Sequence, residues 1–190
     1  MASNPLKNDA LINALLAILS FGLLLGSYRF NELLDPFFLY APGANLVFIP
    51  AGIKLLCLLV GGPAGVIGVL AASSYISIEL WGSNTFLSTF LLACVSVATY
   101  YGAIKLVLLF GKVRRDLSNL NYWHIVVLSA TASLMNGFAL NFAYFTQSVT
   151  PDSEVLNKGA AMAFGDFLGC CIVVMLFNAV LHLFRPQEQH

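Results

Sequence analysis

The sequence predicts an all-α integral membrane protein, one domain over residues 1–190 folded as a bundle of six transmembrane helices, and three observations carry that expectation. Apolar residues make up 59% of the chain and charged residues 9%, where a soluble domain carries roughly 45–50% and about 25%. The mean hydropathy is +0.84. Apolar runs close to the ~20 residues that cross hydrocarbon recur along almost the whole length, and the polar stretches between them are too short for a soluble domain.

Taken in order, the first run, about Leu11–Tyr28, follows a lone Lys7, and no small-residue cleavage pattern comes after it. It reads as a retained helix rather than a signal peptide. Residues 29–45, "RFNELLDPFFLYAPGAN", are aromatic and contain Pro36 and Pro42, which break helices; the segment either anchors at headgroup depth or folds back as a lid. The runs about Leu46–Val60 and Ala64–Leu80 are joined only by Gly61-Gly62-Pro63. That turn signal predicts a tight helical hairpin, and a re-entrant pair fits the same pattern. Longer runs follow at about Phe86–Phe110, Tyr122–Phe145 and Asn157–Phe184.

The basic residues orient these helices. One face collects Lys7, Lys112, Arg114, Arg115 and Arg185, whereas the other holds Arg29 and Lys158 beside Glu32, Asp35, Glu79, Asp152 and Glu154. The positive-inside rule then places both termini in the cytoplasm, with "GKVRRDLSN" as the main cytoplasmic loop and topology determinant.

Two full charges sit deep in apolar runs, Lys54 in "FIPAGIKLLCLLV" and Asp166 in "MAFGDFLG". Each costs about 2.5–3.5 kcal/mol at a helix centre, so both should face the bundle and find partners. Counted from the outer face, each lies some eight residues in, a depth of about 12 Å. A Lys54–Asp166 pair is therefore geometrically allowed, and Asn136 and Asn141, about 15 and 7 Å from the outer end of their helix, can hydrogen-bond it. Around this cluster Pro50, Gly52, Gly65, Gly68, Gly137, Gly165 and Gly169 permit close helix approach, with Gly165 and Gly169 at GxxxG spacing. Two readings stay open. The pair pins two helices together, or it lines an outward-facing pocket and meets a ligand.

Other functions are disfavoured. Nine basic and nine acidic residues cancel, so the electrostatic footprint of a nucleic-acid binder is absent. Cys57, Cys94, Cys170 and Cys171 lie in apolar runs without metal-site spacing. Lys105 can snorkel to the nearby inner face, and His124 and His182 read as interfacial rather than as haem ligands. No nucleophile elbow, HExxH, phosphate loop or carboxylate pair is present. Neither an enzyme nor a cofactor or metal site is expected.

In "NLVFIPAGIKLLCLLVGGPAGVIGVLAA" and "AMAFGDFLGCCIVV" the chain resembles the first membrane-associated sensor domain family of bacterial membrane modules. Pro50, Ala51, Gly52 and Ile53 match that family's early proline-alanine-glycine-isoleucine motif, and Gly165, Asp166 and Gly169 its late glycine-aspartate-x-x-glycine motif. The resemblance covers about a third of the chain. It implies a multi-pass module of the bacterial inner membrane that senses or scaffolds, in contact with the lipid bilayer and with a separate membrane or cytoplasmic protein or a second copy of itself. Two features depart from the family. Its members carry about eight helices and a cytoplasmic output domain, and Lys54 stands where an apolar residue is expected. Gly62, Pro63 and Gly65 also look, more loosely, like a run in the substrate-binding membrane subunits of energy-coupling-factor vitamin transporters. An assembly subunit of a larger membrane complex is a third reading.

The topology yields a prediction. Cysteines placed at Ser118 and Ser153, in a background lacking the native cysteines, should label from opposite sides of the membrane; labelling of both from one side overturns the arrangement.

Overall fold

A computed structural model describes residues 5–81, 86–114, 117–146 and 154–184. Helix α1 (Pro5–Glu32) leads through a short α2 (Asp35–Phe38) and an antiparallel pair of strands, β1 (Leu39–Ala41) and β2 (Ala44–Asn45), into α3 (Ile49–Trp81). Three long helices follow, α4 (Phe86–Phe110), α5 (Tyr122–Thr146) and α6 (Val155–Phe184). The five long helices are each apolar and long enough to cross a membrane, the make-up of a multi-pass membrane protein.

Helix α3 is folded back on itself. Gly62 has φ 52° and ψ −136°, outside the helical region, and a residue without Cβ takes that left-handed φ at little cost. Pro63 then opens the second arm, where its fixed φ suits a first helical turn and its missing N–H is not needed. Two tethers confirm the reversal. Arg29 near the end of α1 grips both carboxylate oxygens of Glu79 at 2.8 and 2.7 Å, while Asn31 Oδ1 accepts a hydrogen bond from the Ile49 N–H at 2.9 Å. A straight helix would hold residues 49 and 79 about 45 Å apart; here both meet the same end of α1. The hairpin expected at Gly61–Pro63 is thus present, and with it the described residues form six long helical rods.

Helices α1 and α6 start earlier than the apolar runs alone indicated, α4 has the expected bounds, and α3 starts at Ile49, later than the expected Leu46. Helix α1 begins at Pro5 and continues to Glu32, and α6 begins at Val155, because amphipathic and charged residues prolong a helix beyond the hydrocarbon without interrupting its hydrogen bonds. Residues 35–45 form a folded turn packed against α6. Asn45 Nδ2 donates to Asp35 Oδ1 at 2.8 Å and staples the turn; Ala44 is buried inward, while Phe37, 79% exposed, points away from the bundle.

Packing puts α3, α4, α5 and α6 in a ring, each touching the next and α6 closing on α3, with α1 laid against the outside of α3. The closure depends on absent side chains. A Cβ at Gly165 would strike the Asn45 carbonyl, one at Gly169 the Phe48 carbonyl, and one at Gly52 would lie 2.6 Å from Val173 Cβ. Phe48 N–H donates to the Gly165 carbonyl at 3.0 Å across this contact. As residue numbers rise together along both chains, α6 runs in the same direction as the first arm of α3. The start of α6, the end of α1 and both ends of the hairpin therefore gather at one end of the bundle, under residues 35–45, and the hairpin tip points to the other.

Inside the ring the layers alternate. Ala44, Leu92, Leu140, Tyr144 and Met162 form an apolar cluster towards the roofed end. One helical turn further in come Ser96, Asn136 and Asp166, and beyond them Ile104, Val107, Leu128, Ala132 and Cys170 belong to the main apolar core. A polar layer lies between two apolar ones.

The close approach of α6 to the start of α3 can be checked. Gly169→Ala should lower stability by about 1–3 kcal/mol through overpacking, whereas Gly26→Ala, with nothing within 4 Å of the added atom, should be neutral or raise it by up to about 1 kcal/mol. Thermal unfolding of the two purified variants in detergent measures the contrast.

Candidate functional site

Each of the four ring helices contributes to the polar layer. Lys54 on α3 donates from Nζ to Ser96 Oγ on α4 at 2.7 Å, and Ser96 donates onward to Asn136 Oδ1 on α5 at 2.9 Å. Asn136 Nδ2 in turn donates to Asp166 Oδ2 on α6 at 2.7 Å. Every bond in this chain points the same way, from the ammonium to the carboxylate, so each donor is polarised by the one before it. Thr99 Oγ1 donates to the Ser96 carbonyl at 2.9 Å, with Asn136 Oδ1 as a longer second acceptor at 3.3 Å.

Tyr100 is the second bridge. Its hydroxyl donates to Asp166 Oδ2 at 3.0 Å, and Lys54 Nζ sits 5.2 Å from the centre of its ring, within the range of a cation–π attraction. One buried side chain serves both charges. This corrects the direct Lys54–Asp166 pair that the sequence allowed: the Tyr100 ring faces the ammonium and its hydroxyl meets the carboxylate, so the two ions are joined through neutral groups instead of by contact. The two charges do share one buried layer, joined end to end by the hydrogen bonds through Ser96 and Asn136.

Asn141 stands apart from this network. Its Nδ2 donates to the Gly137 carbonyl one turn back and to Met162 Sδ at 3.5 Å, which leaves it one turn nearer the roofed end and satisfied within α5 and α6. The packing glycines divide in the same way. Gly52, Gly165 and Gly169 position the α3 and α6 ends of the network; Gly65 meets the Cys57 carbonyl inside the hairpin, Gly68 meets Ala17 on α1, and Gly137 meets Ala163 on α6. Pro50 is buried in the first turn of α3, next to the capping contact from Asn31.

Above the network is a cavity of ≈130 Å³, bounded by Asp166, Lys54, Ser96 and Asn136 on one side and by Asp35, Leu39, Gly43 and Asn45 on the other. It runs from the polar layer to the 35–45 segment, and this segment forms its roof. The wall between is mixed: Leu24, Phe48, Ile76 and Leu92 are apolar, while Asn31 and Ser73 are polar.

Ser96, Tyr100, Asn31 and Ser73 did not emerge from the sequence reading. A signal was present for α4, where Thr89, Ser96 and Tyr100 recur at spacings of seven and four and mark one helical face. Asn31 gave none, because its role depends on a backbone N–H eighteen residues away. Lys105 and His124 sit away from the cavity. Lys105 lies over Tyr101 at 5.1 Å from its ring centre on the exposed face of α4. His124 closes the start of α5, with its N–H bonded to Asn121 Oδ1 at 2.9 Å and its Nδ1 accepting from the Asn121 N–H at 3.3 Å. The side chain of His182, like Arg115 and Arg185, falls outside the described residues.

No protein-family model, curated protein or solved structure matches this chain.

The relay has a measurable signature. Lys54→Met and Asp166→Asn should each destabilise by about 3–5 kcal/mol, because each strands the opposite charge in a dry interior, and the double variant should recover part of the loss as a coupling of about 0.5–3 kcal/mol. In an Asn136→Leu background the coupling should shrink. Thermal unfolding of the full cycle in both backgrounds checks it, and an unchanged coupling would mean that the charges interact through space.

Proposed function

We propose that this protein is a membrane-embedded sensory module, in the inner membrane with both termini cytoplasmic, that reads a small ligand in its polar cavity and passes the state of its bundle to a separate protein. The observation that carries the reading is the ring itself. Four helices each commit a buried polar side chain to one network, and that network forms one side of a cavity roofed by residues 35–45. A charge pair meant only to clamp two helices needs neither four helices nor open space beside it. The apolar layer of Ile104, Val107, Leu128 and Cys170 closes the bundle beyond the network, which favours a receptor over a conduit.

The motif resemblance gains a physical sense from the same contacts. Gly52 of the early motif packs on Val173 and the Gly169 carbonyl, and Gly165 and Gly169 of the late motif receive the chain that leads into the early one. The two motifs thus form opposite sides of one contact, and Asp166 sits between the two glycines of the late motif. A ligand that displaced Asp166 would act on the place where α6 meets α3.

Two measurements test this reading. Ser73→Cys, in a background lacking the native cysteines, should react with a small membrane-impermeant thiol reagent added from outside the cell; complete protection in membranes denies the cavity an outward opening. Gentle detergent extraction followed by mass spectrometry should recover a separate kinase, cyclase or transporter with the chain. Recovery of the isolated chain or its homo-oligomer overturns the signalling role, and recovery of paired ATPases with a coupling subunit moves the protein to the vitamin-transporter class.

A further inference from the structure

The cavity's unused hydrogen-bonding groups define what it is built to hold. Lys54 has three N–H donors, and one is engaged, by Ser96. Asn31 Oδ1 accepts from the Ile49 N–H, which assigns Nδ2 as the free donor of an amide whose residue lines the cavity. Ser73, 7% exposed and also on the cavity wall, has a buried hydroxyl without a hydrogen-bond partner. Such a group costs about 1–3 kcal/mol when nothing meets it. Three donors of different chemistry, an ammonium, an amide and a hydroxyl, are thus spare around one small space among the described residues.

The acceptor side is different. Both bonds that Asp166 receives, from Asn136 and Tyr100, end on Oδ2, so Oδ1 has no donor among the described residues. Glu32 and Asp35 also line the cavity, nearer its roof. Glu32 is paired with Arg29 at 3.0 Å, which leaves Asp35 and Asp166 as carboxylates against Lys54 as the cation among these lining residues, so a plain anion would meet net repulsion on the way in. A plain cation would leave the three donors unmet and lie against the Lys54 ammonium.

Resting on the reading of the cavity as a ligand site, we infer that it takes a small zwitterion of amino-acid size. The ligand's carboxylate is met by Lys54, Asn31 and Ser73, and its ammonium by Asp166 Oδ1. Size supports the class: a cavity of about 150 Å³ holds benzene, and the ≈130 Å³ here suits a molecule of about five or six non-hydrogen atoms. The apolar wall at Leu24, Ile76 and Leu92 accommodates a short aliphatic side chain. Binding would give the ligand's ammonium a share of the carboxylate that Tyr100 and Asn136 hold at rest, which ties occupancy to the contacts between α4, α5 and α6.

The test uses the purified full chain in detergent, with thermal unfolding and equilibrium binding of radiolabelled glycine, L-alanine, L-serine, L-valine and γ-aminobutyrate, and with propionate and propylamine as single-charge controls. At least one of the zwitterions should raise the unfolding temperature by roughly 5 °C or more at saturating concentration, and neither control should. Ser73→Ala should leave the ligand-free unfolding temperature unchanged or raise it, by removing an unmet buried hydroxyl, and weaken binding about tenfold, a readout that does not depend on the more disruptive charge variants surviving. Equal stabilisation by propionate, or by propylamine, overturns the zwitterion in favour of a simple ion. No response to any of the five zwitterions also overturns it. If that failure accompanies outside labelling of Ser73→Cys, the ligand class alone is wrong; if Ser73→Cys is also protected, the cavity reading falls with it.

Discussion

The directional chain from Lys54 through Ser96 and Asn136 to Asp166 is the constraint on which the rest of the bundle depends. An ammonium and a carboxylate placed in hydrocarbon must be neutralised, yet direct contact would have drawn α3 and α6 together and left α4 and α5 with no part in the site. Distributing the interaction over neutral intermediates fixes four helices at one depth. The small residues follow from that requirement. Gly52, Gly165 and Gly169 let α6 approach the start of α3 closely, so that Asp166 reaches the layer occupied by Asn136 and Tyr100.

Buried polarity of this kind also sets register. Where a ring's inward positions are Leu, Val, Ile and Ala, a helix could slide by one turn and exchange one apolar contact for another with little loss. Slippage of α5 by a turn, however, would carry Asn136 out of reach of both Ser96 and Asp166. The apolar clusters on either side supply most of the favourable packing, while the polar layer between them decides which packing is adopted.

Much of this was legible in the sequence, for identifiable reasons. Helix positions follow from hydropathy because backbone groups in hydrocarbon have no alternative partner, and the hairpin follows from Gly61-Gly62-Pro63 because only glycine and proline punctuate so apolar a run. The equal depth of Lys54 and Asp166 came from counting residues at a fixed rise. What could not be counted was azimuth. Whether Lys54 turns towards α6 or α4 depends on how the helices are rotated, and a ring with one tyrosine at the right height diverted it to Ser96. Asn141 was misplaced for the same reason: one turn from Asn136, it found a partner in its own helix. The fold of residues 35–45 was hidden too, since its staple joins Asp35 to Asn45 across a turn that hydropathy does not register.

The reversal at Gly62 also bears on how the chain enters the membrane during synthesis. Its first arm rises only about 18 Å and its second about 27 Å, against some 30 Å of hydrocarbon, so neither arm is a robust insertion signal alone, and Lys54 weakens the first further. The two arms are therefore best committed as a pair, after α1 is already in place to receive Gly68 and to offer Asn31 to the new helix end. A unit that enters and leaves on the same side contributes an even number of crossings. The orientation of α4, α5 and α6 is consequently indifferent to whether the Gly62 tip breaches the far surface or stops within the bilayer, and basic residues flanking the other helices are free to set it.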